Sequence, residues 1–149
     1  MTTRAEFTPG QVDAFNAYLT DIRDRLGLSH WDVYLAAEEP ESDDVHASIE
    51  PTDGRFVAPV RLARDWFDRS PRDQRNDVVH ELLHLTHRDL TDHVRLTILT
   101  SGYIPAAAYD SLWNPARLAA EQMVDHLAAV LSPMVPEPDF TAEVPDDDA

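Results

Sequence analysis

The chain of 149 residues contains no cysteine and no lysine. Without cysteine it can form neither a thiolate zinc site nor a disulfide framework. No apolar run approaches the length of a membrane span, and the first six residues lack the apolar core of a signal peptide. We therefore expect a cytoplasmic protein without a membrane partner, in which 43% hydrophobic residues supply the core of one domain.

The charge of the chain is strongly negative, with 28 acidic residues against 12 arginines and a formal net charge of −16. A surface that binds phosphates needs clustered cations, and the arginines are not tightly clustered, so nucleic acid is not an expected partner. Proline and acidic residues are concentrated near the end of the sequence. We expect residues 1–132 to form a single domain and residues 133–149 to form an acidic, proline-rich disordered tail.

The most informative feature is the segment His80-Glu81-Leu82-Leu83-His84, which matches the pattern H-E-x-x-H. On a helix of about 3.6 residues per turn, the two histidines lie on one face and can bind one metal ion, while Glu81 flanks them and can accept a proton. Ser70 followed by Pro71 predicts the start of this helix. An apolar stripe beside the histidines favours packing on a core: Val78, Val79, Leu82, Leu83 and Leu85.

A catalytic zinc site needs a third protein ligand and leaves one position for water. Glu121 is the preferred candidate, in a helix that Asn114 and Pro115 are predicted to begin. Glu121 and Asp125 are four residues apart, and two like charges at that spacing destabilise a helix unless a cation lies nearby. Glu121 would bind the metal, and Asp125 would accept a hydrogen bond from a ligating imidazole. A solvated acidic face remains the alternative, and His126 is the rival third ligand.

The other histidines give weaker signals. His87 is nearly in line with the motif histidines, but three rings along one straight helix would not converge on one metal. His93 also follows the motif closely. His30 and His46 have no partner in the sequence and are expected to be surface or core residues.

The two motifs His80-Glu81-Leu82-Leu83-His84 and Glu121-Gln122-Met123-Val124-Asp125 together resemble the gluzincin zinc metallopeptidases, in which H-E-x-x-H is completed by E-x-x-x-D. Minigluzincins and the metallopeptidases of phages and actinobacteria are closest in scale, and the resemblance covers roughly residues 45–131. The interval between the motifs is longer than in the thermolysin-like branch, so no further catalytic residue is carried over. The resemblance implies these roles: zinc ligands His80, His84 and Glu121, general base Glu81, and Asp125 as partner of a ligating histidine.

Hydrophobic periodicity predicts an α+β fold, and the resemblance implies that this fold is zincin-like. An N-terminal helix over residues 9–26 is followed by three strands, over 31–35, 45–50 and 55–62, that we expect to form a small antiparallel sheet. The active-site helix and the later glutamate helix follow, with a further helix over 91–100 that ends at residues 101–105.

Proline at position 59 predicts that the third strand lies at a sheet edge or carries a bulge, because proline cannot donate to a strand ladder. By resemblance, zincin peptidases place an extended substrate beside an edge strand next to the metal helix. The alternative is an edge proline that discourages aggregation.

These features favour a zinc-dependent peptidase acting on a peptide or protein, with Zn²⁺ as cofactor and a metal-bound water activated by Glu81. The alternative is a catalytically silent zincin-like domain with a regulatory or partner-binding role. A third hypothesis is a structural zinc site closed by His126 or His87. A glutamate at position 81 favours the enzyme, because a structural site needs no proton carrier there. Candidate donors to the oxyanion are Tyr103, Tyr109 and His87.

Overall fold

A computed structural model describes residues 6–141, and this part of the chain has the predicted α+β architecture. It consists of four α-helices and one three-stranded sheet. In chain order the elements are α1 (Pro9–Arg25), β1 (Asp32–Leu35), β2 (Ala47–Ile49), β3 (Val57–Leu62), α2 (Pro71–His84), α3 (Arg88–Thr100) and α4 (Tyr109–Leu131).

The beginnings of α1 and α2 follow the local sequence signals. Each helix has proline in its first turn after a hydroxyl residue that serves as N-cap. The Ser70 hydroxyl accepts the backbone N–H of Asp73, and Thr8 forms a reciprocal capping box with Gln11. The predicted start of the metal-motif helix is therefore confirmed.

The sheet is mixed, so the expectation of a purely antiparallel sheet is wrong. The strand order is β1-β3-β2, with β2 antiparallel to β3 but β1 parallel to it. Residues 50–56 form the tight connection between β2 and β3, in which Gly54 has a positive φ of 70°. After β1 the chain crosses to the far edge, forms β2, and returns between the two strands, so β3 runs in the same direction as β1.

Pro59 therefore lies in the central strand, without a bulge in either register, and not at an edge. Its ring faces the position of Glu50, just beyond the last residue of β2. There the backbone N–H of Glu50 still donates to the Pro59 carbonyl at 3.1 Å. The proline thus removes only one ladder hydrogen bond, at the end of the pairing, which is why the central strand tolerates it.

The hydrophobic core lies between α1, the sheet and α2. α1 contributes Phe15, Leu19 and Ile22, each fully buried, and Trp66 lies fully buried just before α2. The apolar stripe predicted beside the metal motif is buried throughout: Val78, Val79, Leu82, Leu83 and Leu85. Because α2 packs on β2 on one side and α4 on the other, its histidine face is held next to both elements.

The helix α4 begins earlier than the sequence predicts. Asn114 is not its N-cap, and Pro115 lies inside the helix, which begins at Tyr109 after a single 3-10 turn at Ala106–Ala108. Proline at this position costs one backbone hydrogen bond. The following alanine-rich and leucine-rich residues favour helix strongly enough to carry it through. The predicted end of the preceding helix, α3, near residue 100 is confirmed.

Residues 133–141, which we assigned to the tail, pack on the core. Val135 is buried, and the Phe140 ring lies 5.8 Å from the ring of Tyr18. The Tyr18 hydroxyl donates to the Pro136 carbonyl at 2.9 Å, and Glu137 forms an ion pair with Arg75. The apolar residues among the prolines explain this packing, while the rest of the predicted tail, residues 142–149, lies outside the described residues.

Within residues 6–141, none of the helices combines the length and the apolar composition that crossing a membrane requires.

Candidate metal centre

The two motif histidines stand one turn apart on the exposed side of α2. Their Nε2 atoms are 3.1 Å apart, and each side chain is about three-quarters buried. Two neighbouring ring nitrogens at this distance either share a proton or point at a common cation. The local sequence dictates this arrangement, because residues four apart on a helix lie above one another.

The helix α4 brings Glu121 to the same point. Its Oε2 atom lies 3.7 Å from Nε2 of His80 and 3.6 Å from Nε2 of His84. Ligand atoms that share one tetrahedral zinc at about 2.0–2.1 Å lie about 3.3–3.4 Å apart. The three separations bracket that value, so two imidazole nitrogens and one carboxylate oxygen converge at the spacing of a single small cation.

Asp125 fixes the orientation of one imidazole. Its Oδ1 atom is 3.1 Å from Nδ1 of His80, so the hydrogen-bond pattern assigns the proton of the neutral ring to Nδ1. The Nε2 atom then carries a free lone pair, as a metal ligand requires. The carboxylate that the sequence proposed as partner of a ligating histidine therefore lies where that role needs it.

Glu81 lies beside the histidine pair and is partly buried. A His80-Glu81-His84 group has ligand atoms that all lie within 4.8 Å of one another. Burial raises the pKa of the Glu81 carboxyl from 4.5 to about 8, while a hydrogen bond from the Ile49 backbone N–H opposes the rise. The carboxyl is therefore held by the edge strand and binds a proton more readily than an ordinary glutamate.

Burial also lowers the pKa of His84, which favours the neutral ring that a metal needs. The nearby Glu121 carboxylate opposes this shift.

A groove runs along the outer edge of β2 and widens into a cavity on each side of the His80-Glu81 pair. The first, which we call the His46 cavity, has a volume of about 410 Å³. The second, which we call the Arg88 cavity, has a volume of about 430 Å³ and is lined by both motif histidines and by Glu121. Ala47 of β2 lines both, so the strand forms one continuous wall.

A buried polar cluster anchors α2 one turn before the motif. The Asp77 Oδ2 atom accepts hydrogen bonds from the indole of Trp66 at 2.9 Å and from Nε of Arg69 at 3.0 Å. Burial nevertheless raises the pKa of Asp77. These contacts fix the rotation of α2 and hence the direction of its histidine face.

The rival ligands lie elsewhere. His126 is exposed, five residues after Glu121 and on another face of α4. The Nδ1 atom of His87 is 2.7 Å from the Thr86 hydroxyl, and its ring lines a third, apolar cavity between α3 and α4. His93 is also exposed, and His30 packs edge-on against the Phe56 ring.

Two of the proposed oxyanion donors, Tyr103 and Tyr109, line neither of the two cavities beside the motif. Tyr103 is 95% exposed. The sequence interpretation missed His46 and Arg88, which do line these cavities. Arg88 pairs with Asp53 at 2.7 Å and with Asp92 at 2.6 Å. Only the packing of β2 against α2 brings His46 here, so no local signal could have found it.

Comparisons of the chain with protein-family models, with curated proteins and with solved structures found no match.

Proposed function

We propose that this protein is a zinc-dependent peptidase of the gluzincin type. One observation carries the proposal: the convergence of three donor atoms, from His80, His84 and Glu121, beside the partly buried carboxyl of Glu81. A chance H-E-x-x-H sequence on a surface helix would not be expected to meet a carboxylate from a helix more than thirty residues later at this spacing.

The donor set fits zinc. Two imidazoles and one carboxylate are typical ligands of catalytic zinc sites, which keep a fourth position open. His80, His84 and Glu121 would hold the ion, and Asp125 would keep the His80 ring in the ligating tautomer. When bound, zinc supplies Lewis-acid chemistry, acidifying water and polarising a carbonyl oxygen.

Glu81 would carry the proton. In the metal-free protein, burial raises the pKa of this carboxyl to about 8, so the site favours proton uptake. A carboxyl there can accept a proton from water and return it to a leaving amine. The Ile49 N–H would keep the carboxylate turned towards the groove during both transfers. A site with a purely structural metal would gain nothing from such a group.

The edge strand supports a peptide as the substrate. His46 and Glu50 form hydrogen bonds to β3, so the backbone groups of Ala47 and Ile49 point the other way, towards the groove. The Ile49 N–H is used by Glu81, which leaves the Ile49 carbonyl and both groups of Ala47 for a substrate. An extended peptide could therefore pair with β2 by strand addition, with its backbone passing the His80-Glu81 pair. A small-molecule substrate would leave most of these backbone groups of β2 without a partner.

The experiment compares wild type with Glu81→Gln, His80→Ala and Glu121→Ala, using zinc content by mass spectrometry and cleavage of a broad peptide library. Glu81→Gln should keep stoichiometric zinc and lose about 100-fold or more of turnover. The other two variants should lose turnover and bind zinc more weakly, so that their zinc content after desalting is below one equivalent. Glu38→Gln, the same change at an exposed site, serves as the control and should keep both.

If wild type holds zinc and cleaves no peptide, the peptidase proposal fails and the domain is a metal-binding module. If Glu81→Gln cleaves as fast as the control, Glu81 is not the proton carrier.

A further inference from the structure

The His46 cavity differs in charge from the Arg88 cavity. Among the described residues, no arginine lines the His46 cavity, whereas the carboxylates of Asp77 and Asp125 both do. In the Arg88 cavity, by contrast, Arg88 stands beside the carboxylate of Glu121. The His46 cavity is therefore the end of the groove where, among the described residues, carboxylates line the wall without a guanidinium.

Ser132 gives an independent sign of a missing ligand in the same cavity. It lies at the end of α4, lines the cavity, and is only 2% exposed, yet its Oγ atom has no hydrogen-bond partner. A buried hydroxyl without a partner costs free energy. A donor or acceptor that enters the cavity would remove that cost.

Asp77, which lines the same cavity, has hydrogen-bonding capacity left. Its Oδ2 atom accepts both strong hydrogen bonds, whereas Oδ1 has only a 3.5 Å contact with Arg69. A carboxylate oxygen can accept two hydrogen bonds, so Oδ1 can take a further donor. Asp125 is similar, because it uses one oxygen for His80 and its side chain is 69% exposed.

The cavity has room for a long side chain. Its remaining walls are small, with Ala47 on the strand and Ala128 and Ala129 on α4. Its volume of about 410 Å³ exceeds what any one side chain fills. The amide of Asn76 on α2 adds an acceptor to the same wall.

We propose that the His46 cavity is a specificity subsite that binds the cationic side chain, arginine or lysine, of the peptide substrate. The role of this subsite in cleavage rests on the proposed function. The binding of a cationic side chain in the cavity does not. A guanidinium or ammonium group has only donors to offer, and the free acceptors of Asp77, Asn76 and Ser132 match them. The overall charge of −16 would add a long-range attraction for basic peptides.

The experiment measures binding and cleavage separately. Full-length Glu81→Gln protein with one equivalent of zinc is titrated calorimetrically with three blocked pentapeptides, alike except for a central arginine, glutamine or glutamate. At roughly 0.15 M salt, which screens distant charges, the arginine peptide should bind about tenfold tighter than the glutamine peptide. The glutamate peptide should bind weakest.

Asn76→Lys, added to the same protein, places a cation inside the cavity and should abolish the preference for arginine. Asn114→Lys is the matched control, because it makes the same change at an exposed position of α4 and should keep the preference. Ser132→Ala provides a second variant should Asn76→Lys not fold. Removing an unpartnered hydroxyl should not lower the melting temperature, but it should reduce the arginine preference severalfold.

Equal binding of the arginine and glutamine peptides overturns the proposal, as does an equal loss of preference in Asn76→Lys and Asn114→Lys. Cleavage of the same peptides by wild type tests the proposed function separately. If wild type cleaves them without any preference, the subsite fails and the peptidase stands. If wild type cleaves nothing although the preference and its loss in Asn76→Lys are observed, the peptidase fails and the subsite stands.

Discussion

At the scale of single residues, the site depends on side chains that orient one another. Asp125 accepts a hydrogen bond from Nδ1 of His80, and burial lowers the pKa of His84, which favours its neutral ring. Both rings can then direct a lone pair at the point on which the Glu121 carboxylate also converges. The motif sequence predicted this set, because the spacing of four residues on a helix fixes which groups share a face.

Asp125→Asn should weaken zinc binding about ten- to hundredfold, because an amide orients and polarises His80 less than a carboxylate does. Competition with a chromophoric chelator measures the affinity. Asp110→Asn, the same change in the first turn of α4, should leave it unaltered. Equal affinities for the two variants would show that Asp125 does not support the ligand.

Glu81 makes the stability of the metal-free protein depend on pH. Because folding raises its pKa from 4.5 to about 8, its contribution to stability is fully present below pH 4.5 and is lost as the pH rises through about 8. Glu81→Gln stays neutral, so above pH 8 the metal-free variant should be more stable than wild type by on the order of 3 kcal/mol. The two should be alike near pH 4.

Urea unfolding of both proteins in the presence of a chelator, at several pH values, measures this difference. The effects of the other ionisable groups largely cancel in the comparison. A difference in stability that does not change with pH would contradict the burial of this carboxyl.

At the scale of the elements, α1 and α2 were predicted well, whereas the start of α4 and the direction of one strand were not. Helix α2 was predictable because its cap, its first proline and its apolar stripe are all local in sequence. The parallel pairing of β1 with β3 is not local, since it depends on a crossing of about twenty residues whose direction no short pattern encodes. Pro59 was misassigned for the same reason, because its cost depends on which neighbour faces it.

Ser70 should matter for the helix that carries the metal motif and little for the metal itself. Ser70→Ala removes the hydroxyl that accepts the Asp73 N–H at 3.1 Å, which should cost about 1 kcal/mol of folding free energy. Ser70→Asn, which keeps a capping acceptor, should recover most of it. Thermal unfolding measures the stability, and unchanged stability of Ser70→Ala would contradict the capping role.

At the scale of the whole molecule, the domain is closed by a segment that composition alone assigned to a disordered tail. The prolines and acidic residues predict disorder, but Val135 belongs to the buried core and the Phe140 ring packs against Tyr18 of α1 and against Phe67. The overall composition of the segment hides these two apolar residues, so the sequence alone could not show that the domain extends beyond residue 132. The two helices that supply much of the core, α1 and the motif helix α2, could by contrast be located from their apolar periodicity.

Ending the chain after residue 132 should lower the free energy of unfolding by about 3 kcal/mol, because it exposes the apolar surface that Val135 and Phe140 cover. Ending it after residue 141 retains these contacts and is the control. Urea unfolding of the two chains distinguishes the cases. If both are equally stable, the packing of residues 133–141 contributes nothing to the fold.

The central claim is that two imidazoles and the carboxylate of Glu121 bind one zinc ion and leave a position open. X-ray absorption at the zinc edge, on protein with one equivalent of zinc, tests it most directly. We predict two imidazole nitrogens and two oxygen ligands at about 2.0–2.1 Å, with one oxygen lost or replaced in Glu121→Ala. A first shell of three or four imidazoles, or a shell unchanged in Glu121→Ala, would contradict the account.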